Sequence, residues 1–444
     1  MLSYRKLAMR VLGRPLHTGG GGIDSPRPAS QRAAAFILTA AMLTTLAAPA
    51  FAATWRIEDG DITVKAGDTE GTNKVSQGTI IDKVDTNTII TNQKTDTASS
   101  NTVTIETNDK NDKVEVTLKD VNIDTSNRNN AAVSVTGSGN TTIKLDGDNA
   151  LKSDTYRSGI ASTGSLTISG GENDSLTAQG GSGANGISSS GSLTISGGTV
   201  TATGGNSTGI VGYGGSGIYS SSGVAISGGA VTANGGDSKD GYGGNGIYSS
   251  SVAISGGTVK AAGGNGKDGY GGNGISSTST TISGGTVTAN GGSGNSSGGN
   301  GIRSNGVAIS GGTVEAAGGV GKNGSGGSGI YSSGIDLSGS LELTAKAGSP
   351  NGKALSQKGS ELVLDTIKDK LGPGAKVTAT DADGKVIDQV STPRPVEPEE
   401  SSSSSDGGSA TPSAPASPLP GLTVTDKDGQ RISYTSTQSG NTLT

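Results

Sequence analysis

Few side chains in this sequence could carry chemistry, because several reactive residue types are missing from most of it. There is no Cys, and the single His (His17), the three Met and the two Phe all lie within the first 52 residues. The rest of the chain therefore cannot form a Ser-His-Asp or Cys-His arrangement, a Cys/His zinc site or a haem site ligated by His or Met. Asp, Glu, Lys, Arg, Tyr, Ser and Thr remain as candidate functional residues.

Six Tyr residues recur at two positions of a repeated pattern and are the first candidates for binding. Three follow an Ile within a GIY segment, and three lie in GYGG loop segments. Exposed Tyr rings beside Thr, Asn and Asp suit sugars, which present apolar C–H faces and hydroxyl edges. A stack of Tyr rings that packs only against itself is the alternative, and it fits the spacing equally well. The candidate carbohydrate-binding residues are Tyr213, Tyr219, Tyr242, Tyr248, Tyr270 and Tyr331.

Two short acidic motifs give the candidate metal ligands. The segment GGNGKDGYG (residues 263–271) resembles the calcium-binding nonapeptide GGxGxDxUx, but it occurs once per repeat instead of every nine residues. Lys239 and Lys267 directly precede two of the acids, which favours plain solvated charge over a Ca²⁺ site. Calcium is the one cofactor that the sequence suggests. The candidate ligands are Asp146, Asp148, Asp240 and Asp268.

Catalytic residues are not indicated anywhere in the repeats. A polysaccharide lyase or hydrolase would need clustered carboxylates, or a basic residue beside bound calcium. Outward-facing acids are sparse, and Glu315 stands alone among Thr and Lys at its repeat position. The sequence therefore predicts a protein that is not an enzyme.

A tetrapeptide repeat organises these candidate residues. ISGG recurs at intervals of 27 to 31 residues, and Leu118 and Leu145 upstream and Leu337 and Leu364 downstream continue the same phase. About ten copies are therefore expected between residues 113 and 369. The six ISGG copies begin at Ile168, Ile195, Ile226, Ile254, Ile282 and Ile309.

Each copy contains three short segments in which apolar and polar residues alternate. In the copy that starts at Asn245 these segments are GIYSS, VAIS and TVKA, followed by a Gly/Asn/Asp loop. Alternation of period two indicates a strand with one buried face. Stacked copies predict an all-β fold, a parallel β-helix of roughly ten coils, with about 28 residues and three short strands per coil.

Stacking of the copies also aligns polar residues into columns. Columns of this kind satisfy one another and the backbone between coils, so we expect them to be structural. One inward Ser column is predicted from Ser189, Ser220, Ser249, Ser277, Ser304 and Ser332. One Asn/Ser column at a turn is predicted from Asn185, Ser216, Asn245, Asn273, Asn300 and Ser328.

The segments outside the repeats differ in composition. Residues 1–52 combine a basic start, an apolar run and the small-x-small site Ala50-Phe51-Ala52, which is typical of a signal peptide. A retained membrane anchor is the alternative, although the apolar run is short for one. The other predicted segments are an N-terminal cap or first coils (53–112), the repeats (113–369), a C-terminal cap hairpin (370–390), a disordered Pro/Ser linker (391–420) and a short strand-like tail (421–444), which is a hairpin or the start of a truncated module.

Removal of this leader makes the chain acidic. Residues 1–52 contain six of the 33 basic and one of the 38 acidic residues, which leaves 27 basic and 37 acidic residues and a net charge of −10. That charge argues against a nucleic-acid partner. The leader itself predicts a secreted protein, in the medium or at the cell wall, with no membrane span in the mature chain. The sequence gives no indication of the oligomeric state.

The sequence resembles a family of secreted β-helical proteins with carbohydrate-binding domains, common in clostridia-like bacteria. The likeness lies in VEVTLKDVNID (114–124), in AAVSVTGSGNTTIKLDGDNAL (131–151) and in the following GIxSxGxLTISGGTVTATGG copies, and it covers residues 55–348. The resemblance implies a right-handed coil, binding of acidic plant cell-wall polysaccharide of the pectic type, and calcium as a participant. It assigns no binding residue in this chain.

Three functional hypotheses follow. The first is an extracellular, non-catalytic polysaccharide-binding protein, in which calcium bridges an acidic glycan to an acidic chain. The second is a structural stalk or adhesin of the cell surface that binds a protein partner. The third, a polysaccharide lyase or hydrolase, has the least support from the residues.

Overall fold

The computed structural model describes residues 53–393, except 208, 210 and 211, together with residues 438–439 and 442–443. The described residues fall into two compact units, one within Met1–Pro395 and one within Val396–Thr444. The first unit is a β-solenoid of about ten turns with about 28 residues per turn, and 52% of the described residues are in strands and 3% in helices. The predicted all-β parallel β-helix is therefore confirmed. The right-handed coil implied by the resemblance stays a prediction.

Three parallel sheets run along the solenoid, and a coil contributes one strand to each. Sheet one contains Ile62–Ala66, Val103–Thr107, Val133–Gly137, Ile160–Ser162, Ile187–Ser189, Ile218–Ser220 and Leu355–Gln357. Sheet two contains Thr54–Arg56, Thr88–Thr91, Lys113–Lys119, Asn140–Asp146, Ser165–Ser169, Ser192–Ile195 and Gly223–Ile226. Sheet three contains Asn122–Asp124, Asp148–Lys152, Ser175–Gln179, Thr199–Thr203, Ala230–Asn234, Thr258–Ala262, Thr286–Asn290 and Lys376–Thr380.

Four longer strands turn the corner from one sheet to the next. Ile247–Ile254 and Ile275–Ile282 begin in sheet one and end in sheet two. Ile302–Ala317 and Ile330–Lys346 pass through all three sheets. In these four coils, the segment equivalent to VAIS follows the segment equivalent to GIYSS without a break in the strand. The corner between sheets one and two is therefore made by bending of one strand.

Alternation along each strand sets the core. In the copy that starts at Asn245, the side chains of Ile247, Val252 and Val259 are buried, whereas Tyr248 is exposed. The register pairs Ile247 with the Ile of every neighbouring coil, so each inward column is filled by residues of similar shape. Burial of apolar area, at about 25 cal/mol per Å², is the main contribution to the stability of the solenoid. The core is thin, and Ile, Val, Leu and Ala side chains fill it.

The repeat phase holds from Ile168 to Leu337 but not beyond it. Ile168 pairs with Ile143, which pairs with Val116, whereas Leu145 and Leu118 pair with each other two positions further along the strands. The extension of the phase to Leu145 and Leu118 was therefore wrong. The extension to Leu364 was also wrong, because that residue begins the 3₁₀ helix Leu364–Lys370. Leucine spacing alone cannot distinguish two inward positions of the same strand.

The two predicted polar columns form hydrogen bonds at the turns, except that the buried Ser249 hydroxyl of the Ser column has no hydrogen-bond partner among the described residues. The Ser304 and Ser332 hydroxyls donate to the carbonyl oxygens of Gly306 and Gly334 at 2.8 and 2.7 Å, and thereby satisfy the corner between sheets one and two. At the other turn, both the backbone amide and the side-chain amide of Asn273 donate to the Asn245 side-chain oxygen, at 2.9 and 3.0 Å. The same pair of bonds recurs one coil later. The Asn column therefore forms the predicted ladder between coils, and most of the Ser column bonds the corner backbone, with Ser249 as an exception.

Antiparallel strands cover both ends of the solenoid. At the start, Asn73–Gln77 and Ile80–Asp85 fold back on Ile62–Ala66, after the 3₁₀ helix Ile57–Asp59. At the end, Val386–Ser391 pairs with Lys376–Thr380, and Ser360–Glu361 pairs with Leu355–Gln357. Antiparallel cover of this kind blocks the open edge that a parallel solenoid would otherwise present.

One ion pair fastens the first cap to the coils. The Arg128 guanidinium donates two bonds to the Asp61 carboxylate, at 2.8 and 2.9 Å. Partial burial raises the pKa of Asp61, but the bonds from Arg128 and from the Thr102 amide outweigh burial and hold that pKa below its ordinary value. A bidentate pair of this kind is stronger than a single-point surface ion pair.

Several predicted segments lie outside the described residues. They are the leader (1–52) and nearly all of the linker and tail after residue 393, of which only the short antiparallel pair Gln438–Ser439 and Thr442–Leu443 is described. Within the described part of the chain, no helix has the length and apolar character that a membrane span requires.

The close packing of one coil on the next can be tested at two glycines. A Cβ on Gly264 would overlap the Gly236 carbonyl oxygen of the preceding coil, whereas a Cβ on Gly306 meets nothing within 4 Å. We expect Gly264→Ala to destabilise the solenoid by about 3 kcal/mol, and Gly306→Ala to be close to neutral. Thermal and denaturant unfolding followed by circular dichroism measures both. Equal stability of the two variants would contradict this packing.

Candidate functional site

A stack of three Tyr rings, the loop Tyr column (Tyr213, Tyr242 and Tyr270), lies on the loop side of the solenoid. Backbone bonds of 2.9 Å from Gly214 and Gly243 to the next Tyr carbonyl hold the three loops in register. The ring centroids of Tyr213 and Tyr242 are 5.1 Å apart with 18° between planes, and those of Tyr242 and Tyr270 are 4.8 Å apart with 8°. The sequence placed these residues at one repeat position, and the structure brings them into contact.

A second set, the strand Tyr column, lies on the outer face of sheet one and contains Tyr219, Tyr248 and Tyr331. Tyr219 and Tyr248 are adjacent, with centroids 5.6 Å apart and planes tilted by 56°. Ser276 and Arg303 occupy the same position in the next two coils, so Tyr331 does not touch the other two rings. The Arg303 guanidinium instead lies 6.0 Å from the centre of the Tyr331 ring.

A groove lies at the C-terminal end of the two Tyr columns. This groove has a volume of about 300 Å³ and is lined by Ser297 and Ser325, which follow Tyr270 in the loop column. Its other wall contains Arg303 and Tyr331 of the strand column, and Asn300 lies on its floor. Of the six Tyr residues, only Tyr331 belongs to the described lining of this groove. We call this groove and both columns the Tyr surface.

Much of the Tyr surface is open to solvent. Tyr213, Tyr242, Tyr248, Tyr270 and Tyr331 are between 42% and 61% exposed. None of the six phenol hydroxyls makes a hydrogen bond to another described residue. Stacking covers the ring faces inside the loop column, so the free parts are ring edges, hydroxyls and the outer faces of Tyr213 and Tyr270. These groups suit the hydroxyl edges and the C–H faces of sugars respectively.

One further Tyr extends this surface and was missed in the sequence. Tyr156 is 78% exposed, and its ring packs over Gly183, one coil before Tyr213; a Cβ on Gly183 would lie 3.6 Å from that ring. Its amide bonds to the Ser182 carbonyl of that coil. The loop around Tyr156 has no GYGG sequence, so the motif did not identify this residue. The spacing of 27 residues between Tyr156 and Gly183, which is one repeat, is the only sequence signal for its position.

The candidate calcium ligands are dispersed. Asp146 pairs with Lys119 at 2.6 Å, and this bond raises the pKa of Lys119. Asp148 accepts a hydrogen bond from the Ser175 hydroxyl at 2.7 Å. Asp240 and Asp268 lie in neighbouring coils, with the lysines beside them.

A calcium ion takes six to eight oxygen ligands and usually several carboxylates. Among the described residues, no group of three or more His, Cys, Asp or Glu side chains is placed to hold a metal ion. The four candidate acids therefore do not by themselves provide a calcium site, and calcium binding stays a prediction of the resemblance.

Comparisons of the chain with protein-family models, with curated proteins and with solved structures found no match. A functional assignment therefore depends on the geometry and chemistry of the Tyr surface. A solenoid alone does not identify a ligand.

Removal of the Tyr242 ring, the middle one of the loop Tyr column, tests whether the column is needed for stability. Ser occupies the loop Tyr position in two later coils, Ser297 and Ser325, so Tyr242→Ser should fold. We expect it to lose about 1 kcal/mol of stability, because two ring contacts disappear from a half-exposed stack. Denaturant unfolding measures the loss. A loss above about 4 kcal/mol would mean that the column is a core element and not a free surface.

Proposed function

We propose that this chain is a non-catalytic polysaccharide-binding protein that acts outside the cell, secreted or at the cell surface. The observation that carries the proposal is the exposure of the loop Tyr column, whose hydroxyls have no hydrogen-bond partner among the described residues, with a polar groove at its C-terminal end. Proteins seldom leave several large aromatic rings half exposed in one patch unless the patch has a binding partner.

The shape of the Tyr surface favours a polymer over a small molecule. The loop Tyr column repeats one ring per coil over three successive coils, and a linear polysaccharide repeats its own unit along its length. Successive rings are about 5 Å apart, which is comparable to the length of one pyranose unit. Several weak contacts can therefore act on one chain at the same time, and their combined affinity exceeds that of any single contact.

The chemistry of the groove favours binding without catalysis. Its described lining consists of Ser, Gly and Asn with Tyr331, Arg303 and Lys353, and contains no carboxylate that could act as acid or base. An acidic plant cell-wall glycan of the pectic type is the proposed ligand class, because the resemblance points to it.

The role of the two Tyr columns in binding can be tested with one substitution in each column. Ser replaces Tyr248 and Tyr270 naturally in the following coil, as Ser276 and Ser297, so the double variant Tyr248→Ser, Tyr270→Ser should fold. We expect this variant to bind polysaccharide about tenfold or more weakly, since Tyr residues at binding centres usually contribute more than 1 kcal/mol. Isothermal titration calorimetry with polygalacturonate and with a neutral glucan measures the affinities.

A matched control lies on another face. Thr201→Ala, Thr232→Ala changes two half-buried side chains on sheet three and should leave affinity unchanged. Absence of binding to both polymers by the unmodified chain, with circular dichroism showing an intact fold, would reject the proposal. That result would favour the stalk or adhesin, with the Tyr columns as packing.

A further inference from the structure

The C-terminal end of the Tyr surface changes character from aromatic to cationic. Arg303 takes the position that Tyr248 occupies two coils earlier, and Lys353 enters the same groove from the last coil. We infer that this groove, which we call the cationic groove, binds the carboxylate of an acidic sugar unit directly, without calcium. The inference rests on the proposed function, since it names the charged unit of the same polysaccharide.

The two cations have no anionic partner in the described structure. Neither Arg303 nor Lys353 forms a salt bridge with a described residue, whereas Lys119, Lys144 and Lys152 on other faces each pair with a carboxylate. Unpaired surface lysines occur elsewhere in the chain, so absence of a partner is not in itself significant. The significant feature is that two cations share one groove in a chain with a net negative charge.

Glu361, the acidic residue closest in sequence to Lys353, already accepts hydrogen bonds from the backbone. Glu361 accepts hydrogen bonds from the backbone amides of Ala354 and Leu355, at 3.1 and 2.6 Å. Its carboxylate does not line the groove, and no other acid does. The described lining of the cationic groove therefore has two positive charges and no negative one.

The size and the other side chains of the cationic groove suit one sugar unit whose carboxylate is bound by the two cations. The volume of about 300 Å³ is at the lower end of small-molecule sites. The Arg303 guanidinium carbon lies 6.0 Å from the centre of the Tyr331 ring, and a guanidinium can bind a carboxylate with two parallel hydrogen bonds. Asn300, Asn351 and the groove serines offer hydrogen bonds to sugar hydroxyls.

The test compares an acidic ligand with its neutral form. Oligogalacturonate and its methyl ester are titrated into the chain, first without and then with a chelator. We expect the acid to bind about tenfold or more tightly than the ester, since a charge-assisted bond contributes more than a neutral one. Arg303→Gln and Lys353→Gln should each reduce binding of the acid towards that of the ester, and weaken binding of the ester much less.

Lys260→Gln is the matched control, because Lys260 is an exposed cation on sheet three and its removal changes the net charge equally. Arg303→Lys should retain only part of the preference, since Lys lacks the planar fork.

The outcomes separate the two proposals. If neither oligosaccharide binds, the proposed function fails. If acid and ester bind equally to the unmodified chain, polysaccharide binding stands and the cationic groove is overturned. A preference for the acid that the chelator removes would assign recognition to calcium instead. Equal or tighter binding of a sulfated oligosaccharide, lost in Arg303→Gln, would assign the groove to sulfate esters and overturn the carboxylate.

Discussion

Backbone hydrogen bonding between identical positions of successive coils is the constraint on which the rest of this molecule depends. The N–H of one coil bonds to the C=O of the next at intervals of 27 to 31 residues, so each residue stands above its own repeat equivalent. Any residue type that recurs in the repeat becomes a column about one strand spacing apart. The core, the polar ladders and the Tyr columns are three consequences of this one register.

The register also explains why this surface combines packing with binding. Tyr rings at strand spacing come into contact, and in the loop Tyr column they stack, which removes their inner faces from solvent. The ladder that stabilises the loops therefore offers edges and hydroxyls along its length, and open faces only at Tyr213 and Tyr270. Aromatic stacking and ligand binding are therefore compatible in the same column, because they use different parts of the ring. The sequence leaves these two interpretations of the Tyr residues equally plausible, and the observed exposure supports their coexistence.

Most of the fold could be predicted from the sequence because the repeat is local information. Alternation within GIYSS, VAIS and TVKA assigned the buried faces, and the Ser and Asn columns followed from spacing alone. The prediction failed where the repeat degenerates: Leu118 and Leu145 are inward residues two positions away from the true phase. The cationic groove could not be predicted either, because Arg303 and Lys353 belong to different parts of the repeat and meet only after the coils stack.

Hydroxyl-radical footprinting, read by mass spectrometry, can show where the polysaccharide binds, because Tyr side chains react readily when exposed. With saturating polysaccharide, we expect reduced oxidation of Tyr242, Tyr248 and Tyr270, and unchanged oxidation of Ile81, which is exposed on the N-terminal cap. Binding of the polymer with no protection of these three Tyr residues would exclude the Tyr surface as the binding site, since the ligand would then occupy another face of the solenoid.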